Sequence, residues 1–206
     1  MSKIQEGVLH SDTLDKNPFA LFNEWYKEAE ASEPNDPDAM AVASVDKDGM
    51  PSVRIVLLKQ WSQDGFVFFT NYTSRKGQEL IATKKAAACL HWKSLRRQVR
   101  VVGNVDKISP SASNAYFATR ARGSQIGAWA SNQSQPLNTS AELRIKVAEY
   151  EKKFAGQTVV RPGHWGGFII KPVEIEFWAD GAYRLHDRFQ LKKDAEGIWK
   201  STRLNP

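Results

Sequence analysis

The stretch AMAVASVDKDGMPSVRIVLLKQWSQDGFVFFT, residues 39 to 70, decides the fold. It holds three short runs of β-type residues, AMAVASV, SVRIVLLK and FVFFT, separated by Asp48-Gly49 and Asp64-Gly65. Runs of about four to eight such residues bounded by Asp-Gly read as consecutive hairpins, because glycine supplies the backbone conformation of a tight turn. Consecutive hairpins build an antiparallel sheet. AAACLHW, RQVRVVGNV, GFIIK, VEIEFW and YRLHDRF continue the pattern downstream, with Asp180-Gly181 before the last. So many strands in one chain are expected to close toward a barrel.

Helices interrupt the strands. Asn17-Pro18 reads as an N-cap with proline in the first turn, followed by Phe19, Phe22, Tyr26 and Ala29 at helical spacing and ended by Pro34 and Pro37. TSRKGQELIATKK offers Thr73 or Ser74 as a cap, SPSASNAYFATRAR offers Ser109-Pro110, and Thr139 with Glu142 forms a capping box before an amphipathic helix carrying Leu143, Val147, Tyr150 and Phe154. GSQIGAWASNQSQPLN, residues 123–138, reads as a mobile or binding loop. The class is mainly β with flanking helices (α+β). Residues 1–16 are expected to be a flexible lead-in and 17–206 a single domain.

Composition narrows function by exclusion. The 29 Lys plus Arg against 23 Asp plus Glu give +6, which favours anionic partners without choosing among phosphates, nucleic acid and membrane. A single cysteine, Cys89, excludes an intrachain disulfide and a multi-Cys zinc site, and its apolar setting reads as a buried thiol. His10, His91, His164 and His186 lack ligand spacing, so no metal site is expected. The N-terminus has no apolar h-region and no run approaches the ~20 apolar residues of a membrane span, so a cytoplasmic protein without a membrane partner is the expectation. Neither G-x-G-x-x-G after a strand, nor a P-loop, nor G-x-S-x-G is present.

Four segments bear on anions. In TNYTSRKG, residues 70–77, a helix capped by Ser74 would point free N–H groups at a ligand, while Arg75 and Lys76 carry the wrong charge for a helix start unless an anion compensates; a solvated basic turn is the alternative. In RIVLLK, strict alternation puts Arg54 and Lys59 on opposite faces, so a bulge, or a site wrapping the strand end, is needed for both to serve one pocket. In AYFATRARGSQ, Tyr116 and Arg120 share a helix face and Ser124 follows, which reads either as a phosphate grip or as arginine stacked on tyrosine. In RLHDRF, an extended strand would project Arg184, His186 and Arg188 from one face toward a flat anion. Together they describe more than one phosphate-sized site among aromatic residues, which fits a phosphorylated aromatic cofactor, with a phosphorylated aromatic substrate as the next choice.

RIVLLK, FFTNYTSRKG, RRQVRVVG, YFATRARGSQIGAWASNQS, WGGF, EFW and RLHDR, in this order, resemble the pyridoxamine/pyridoxine 5′-phosphate oxidases over nearly the whole chain. That resemblance implies an antiparallel FMN-binding split β-barrel and a homodimer with FMN at the interface. It implies oxidation of pyridoxamine and pyridoxine 5′-phosphates to pyridoxal 5′-phosphate, with O2 as acceptor and H2O2 released. For FMN it implies Arg54, Lys59, Phe69, Thr70, Arg75, Lys76, Gln98, Gln133, Ser134, Trp178 and Arg188. For the substrate phosphate it implies Lys59, Tyr116, Arg120 and Ser124, and for the pyridine ring the catalytic pair Arg184 and His186. The N-terminal R-x-x-Y segment of some members, thought to cover the active site, has no match in the lead-in. Three rivals stand beside this reading: a related FMN oxidase acting on a phenazine precursor, a basic barrel binding single-stranded nucleic acid, and an inactive homologue that only stores FMN or pyridoxal phosphate, against which the intact Arg184 and His186 count. The resemblance argues against a nucleic-acid partner.

Overall fold

The computed structural model describes residues 17–206; the expectations of a flexible lead-in over 1–16 and of a missing R-x-x-Y cover lie outside the described residues. The three opening runs are strands β1 (Ala39–Val45), β2 (Pro51–Ser62) and β3 (Gly65–Asn71), paired as antiparallel hairpins at the two Asp-Gly turns. β4 (Lys85–Trp92) pairs with β1, and β5 (Arg97–Lys107) with β4. β6 (Trp165–Ala179) runs along β5 and, through residues 165–170, also pairs with β3. The second pairing closes β3-β2-β1-β4-β5-β6 into a six-stranded antiparallel barrel. β7 (Asp187–Lys193) and β8 (Trp199–Arg203) continue the sheet from the second half of β6.

Three local readings change. GFIIK and VEIEFW are one strand: Val102 faces Glu174 and Gly103 faces Pro172, so Val173 is the extra residue of a bulge at the proline that cannot donate to the ladder. Gly103 permits it, since a Cβ there would stand 2.3 Å from the Lys171 carbonyl oxygen. Residues 123–138 are half helix rather than loop: α3 (Pro110–Thr119) is followed by two non-helical residues, Arg120 and Ala121, before α4 (Arg122–Ala130) begins. RLHDRF is extended only from Asp187, because Tyr183 and Arg184 take φ of 55° and 63° in a 3-10 turn at Ala182–Arg184. Leu185 N–H then bonds back to the Ala182 carbonyl and His186 N–H to that of Arg184, so local bonds replace the ladder. Arg184, His186 and Arg188 therefore do not share one strand face.

α1 (Pro18–Ser32) starts at Asn17, whose Oδ1 accepts from Phe19 N–H at 3.0 Å. Its buried face plugs the barrel: the Phe22 and Phe66 rings meet edge-on at 5.0 Å, and Trp25 and Phe177 at 5.3 Å. α2 (Arg75–Thr83) follows β3. α3, α4 and α5 (Ser140–Lys153) share a smaller core of Phe117, Ile126, Phe154 and Trp165. α5 is capped by Thr139 as expected, but Val147 and Tyr150 are only half-buried and just Phe154, past its end, is buried.

Candidate active site

The turn into α2 sets the first element of the site. Asn71 Oδ1 accepts from Thr73 N–H at 2.8 Å and bends the chain out of β3. Ser74 caps α2 by accepting from Gly77 N–H at 3.3 Å. A Cβ at Gly77 would stand 2.4 Å from the Tyr72 carbonyl oxygen, so glycine lets the first helical turn lie on the strand end. Lys76 is thereby turned inward and only 8% exposed. Its ammonium donates to Gln133 Oε1 at 2.9 Å and Thr70 Oγ1 at 3.0 Å, and burial, with the charge of Arg54 adding, pushes it down to about 8.

Lys76, Thr70 and Gln133 line a cavity of about 470 Å³ together with Lys59, Phe69, Tyr116, Arg120 and Ser124. Phe69 and Tyr116 stack at 3.8 Å between centroids, and Trp165 continues the stack at 5.5 Å from Phe69. The Arg120 guanidinium lies 4.6 Å from the Trp165 centroid, and burial lowers its pKa. Its Nη1 is buried without a hydrogen-bond partner among the described residues, a costly state that an anionic acceptor would relieve. Ser124 stands in the first turn of α4, whose N-cap Ala121 supplies no side-chain bond, so backbone donors beside Arg120 are left for a ligand. Of the two arrangements expected for β2, a bulge is present as a register shift between Leu58 and Gln60; Lys59 lines the cavity, with Asp38 Oδ2 accepting from its ammonium at 2.6 Å, while Arg54 does not line it. Arg54 and Arg75 meet on Glu79, at 3.4 Å and 2.8 Å.

A second group lies on the outer face of β5, β6 and β7, where Gln98 faces Trp178 and Trp178 faces Arg188 across the ladders. Glu176 Oε1 accepts from Arg188 Nε at 2.9 Å, a bond that raises the arginine's pKa, and the same oxygen pairs with Arg100. The His186 ring packs on Trp178 at 4.6 Å, with its Nδ1 3.2 Å from Asp180 Oδ1 and 3.3 Å from Gly181 N. Gln98, Trp178, Arg184, His186 and Arg188 are not among the residues lining the first cavity.

Residues 26–154 match the family model of pyridoxamine 5′-phosphate oxidase, and residues 165–206 match the pyridoxine 5′-phosphate oxidase C-terminal dimerisation region. The chain belongs to the pyridoxamine 5′-phosphate oxidase family. It is 56% identical over 195 residues to a pyridoxine/pyridoxamine 5′-phosphate oxidase of Rhizobium etli, covering 94% of this chain and 95% of the relative. A protein of the same name from Agrobacterium fabrum is 52% identical over 204 residues, 98% and 99% of the two chains. Among solved structures, PhzG from Burkholderia lata in complex with tetrahydrophenazine-1-carboxylic acid is similar with a TM-score of 0.90 and 31% identity, covering 97% of this chain and 98% of that one. A pyridoxamine 5′-phosphate oxidase-related, FMN-binding protein from Nostoc punctiforme shares the fold, with a TM-score of 0.75 at 15% identity over 92% and 98% of the chains. Membership of the oxidase family makes the chain an oxidoreductase.

For an oxidase of this family, the structure gathers half of the sixteen residues singled out from sequence into the cavity and places Arg54 and Arg75 beside it on Glu79. Ser134, with φ of 70°, borders an adjoining smaller cavity that Gln133 also lines. The other five sit apart, four of them inside the matched dimerisation region. Sequence reasoning missed Asp38, Glu79, Trp165 and Glu176. Glu79 stands four residues after Arg75 on a helix, a pairing open to inspection; nothing adjacent to Asp38 signals Lys59, which lies 21 residues on.

Proposed function

We propose that the protein oxidises pyridoxamine 5′-phosphate and pyridoxine 5′-phosphate to pyridoxal 5′-phosphate, with FMN as cofactor and dioxygen as electron acceptor, releasing hydrogen peroxide. The carrying observation is the buried, unpartnered Nη1 of Arg120, set beside Ser124, Lys59 and the Tyr116 ring: a grip for the phosphate of a flat substrate. The donor set around α2 fits a second phosphate, since Arg54, Arg75 and Lys76 surround a helix start.

Arg54, Arg75 and Lys76 would hold the FMN phosphate, with Lys59, Phe69, Thr70, Gln133 and Ser134 along the rest of the cofactor. Bound there, FMN would supply a two-electron acceptor for hydride from the substrate C4′, passing the electron pair on to dioxygen. Arg120, Ser124, Tyr116 and Lys59 fix the substrate phosphate, and so its distance from the reacting carbon. Arg184 and His186 hold the pyridine ring, and His186 takes the proton that leaves the 4′-hydroxyl, giving the aldehyde, or the 4′-ammonium, giving an imine that water hydrolyses to the aldehyde and ammonium. Gln98, Trp178 and Arg188 complete the cofactor site from a second copy of the chain. The outer barrel face supports that assembly: Val53 and Ile55 on β2 are 68% and 65% exposed, an apolar ridge that a second copy would cover. None of the described helices is long and apolar enough to cross a membrane.

The test is oxidation of pyridoxine 5′-phosphate by the purified protein supplied with FMN. Pyridoxal 5′-phosphate and peroxide should appear in equal amounts. No turnover would overturn the reading, and oxidation instead of tetrahydrophenazine-1-carboxylic acid, the molecule bound in the similar PhzG structure, would assign the protein to a phenazine precursor.

A further inference from the structure

Glu79 has no place among the residues carried over to cofactor or substrate, yet it joins the basic residues of the α2 site. It is 5% exposed. Its Oε2 accepts from the hydroxyls of Ser44 and Ser52 and from Arg54 Nη2, and its Oε1 accepts from Arg75 Nε at 2.8 Å. Ser44 and Ser52 face each other across the β1–β2 ladder, and both also accept from Arg54, at 2.6 Å each. Arg54, Ser44, Glu79 and Ser52 thus form a closed ring of hydrogen bonds under the helix start, with Arg75 attached from the solvent side. Burial would push the Glu79 carboxyl up, but the bonds from Ser44, Ser52 and Arg75 and the charge of Arg54 outweigh it and bring it to about 2, so it is a carboxylate at any working pH.

A carboxylate in the middle of an anion site should repel the anion. Its retention needs another account, and the geometry supplies one. Arg54 is already held by Ser44, Ser52 and the Val42 carbonyl, whereas Arg75 has 57% of its side chain exposed, and Glu79 is the acceptor that ties it to Arg54; without that carboxylate the Arg75 guanidinium is free to turn away. With Glu79 in place, three cations and one anion leave a charge of about +2, the complement of a phosphate monoester at about −2.

We propose that Glu79 is a positioning residue that holds Arg54 and Arg75 as a pair facing one phosphate group, and thereby sets the protein's preference for a phosphorylated over an unphosphorylated flavin. This deepens the FMN reading and rests on it. Simple electrostatics and positioning predict opposite signs. If Glu79 only repelled the ligand, neutralising it would tighten FMN; if it positions the arginines, removing it loosens FMN.

The experiment measures Kd for FMN and for riboflavin by quenching of flavin fluorescence, in the wild type, Glu79→Gln and Glu79→Leu. Positioning predicts that Glu79→Leu weakens FMN about tenfold or more and riboflavin less than about twofold, with Glu79→Gln, which keeps one carbonyl acceptor, in between. FMN bound equally or more tightly by the variants would overturn the proposal. So would equal weakening of both flavins, the signature of a merely structural role. If the leucine variant does not fold, the glutamine variant decides by the same ratio, with a thermal melt reporting its integrity. Failure of the underlying reading looks different: the wild type itself would bind FMN no better than riboflavin.

Discussion

Lys76 Nζ and Gln133 Oε1 meet at 2.9 Å across 57 residues of chain, and both oxygens within reach of that ammonium, Gln133 Oε1 and Thr70 Oγ1, belong to neutral groups. The buried cation is solvated there without being charge-balanced. That is why burial dominates its titration and brings it to about 8.

A phosphate dianion at the start of α2 would supply the missing charge and pull Lys76 back up. Above about pH 8 cofactor binding would then take up a proton, so FMN affinity should weaken as the pH rises from about 7 to about 10. Lys76→Met should bind FMN more weakly at neutral pH and show a nearly flat profile above 8. The stability of the cofactor-free protein should move oppositely. Below about 8 the lysine is charged in both states and its desolvation penalty is fully present; between there and the ordinary 10.5 the unfolded chain binds more protons, so stability rises with pH. Fluorescence titrations and thermal melts across this range check both signs.

Arg120 is expected to act on the substrate phosphate alone. Arg120→Gln removes the charge and the orphaned Nη1, losing charge-assisted bonds of roughly 1.5–3 kcal/mol each. The KM for pyridoxine 5′-phosphate should rise about tenfold to a hundredfold, while the slow oxidation of unphosphorylated pyridoxine and the Kd for FMN change little. A variant that loses FMN instead would move Arg120 to the cofactor's side.

The barrel was legible because its signals are local. The runs of β-type residues in β1 to β5, the Asp-Gly turns and the caps Asn17, Ser74, Ser109 and Thr139 each act within a few residues. Where long-range terms decide, local reading failed. WKSTR is too polar to announce a strand, yet β8 is held against β7, where Arg203 pairs with Asp187 and lies over the Phe189 ring. α4 begins at a glycine-bearing segment of low helix propensity, and burial of Ile126 in the smaller core overrides it. In RLHDRF the error was conformational: left-handed Tyr183 and Arg184 are uncommon for residues with a Cβ and leave no trace in a polar-apolar pattern. Asp187, between His186 and Arg188, pairs instead with Arg203 of β8.

His186 Nδ1 faces two groups that want opposite things. Unprotonated, it accepts from Gly181 N–H at 3.3 Å; protonated, it donates to Asp180 Oδ1 at 3.2 Å. The Trp178 ring holds the imidazole in place in either case. A ring with a donor for its unprotonated state and an acceptor for its protonated state suits proton uptake. His186→Asn should lower kcat and remove one limb of its pH profile, with the Kd for FMN within about threefold. An unchanged profile in pre-steady-state reduction of the flavin would leave His186 as a packing group and end the base assignment.

The separation of the two residue groups within one chain gives the sharpest prediction. Arg54 sits under α2, near the cavity of about 470 Å³, while Arg188 lies on the outer face of the sheet, in the matched dimerisation region. If one cofactor site takes Arg54 from one subunit and Arg188 from the other, Arg54→Ala and Arg188→Ala homodimers each lack a complete site. Co-refolding the two inactive variants produces mixed dimers in which one site carries both substitutions and the other carries neither. Activity and FMN content should then return to about half of one wild-type dimer for each mixed dimer formed. If both arginines served a site within the same subunit, every site in the mixed dimer would still carry one substitution and nothing would be recovered. Separating the mixed dimers by differently tagged chains, then measuring flavin absorbance per dimer, distinguishes the two arrangements without relying on turnover.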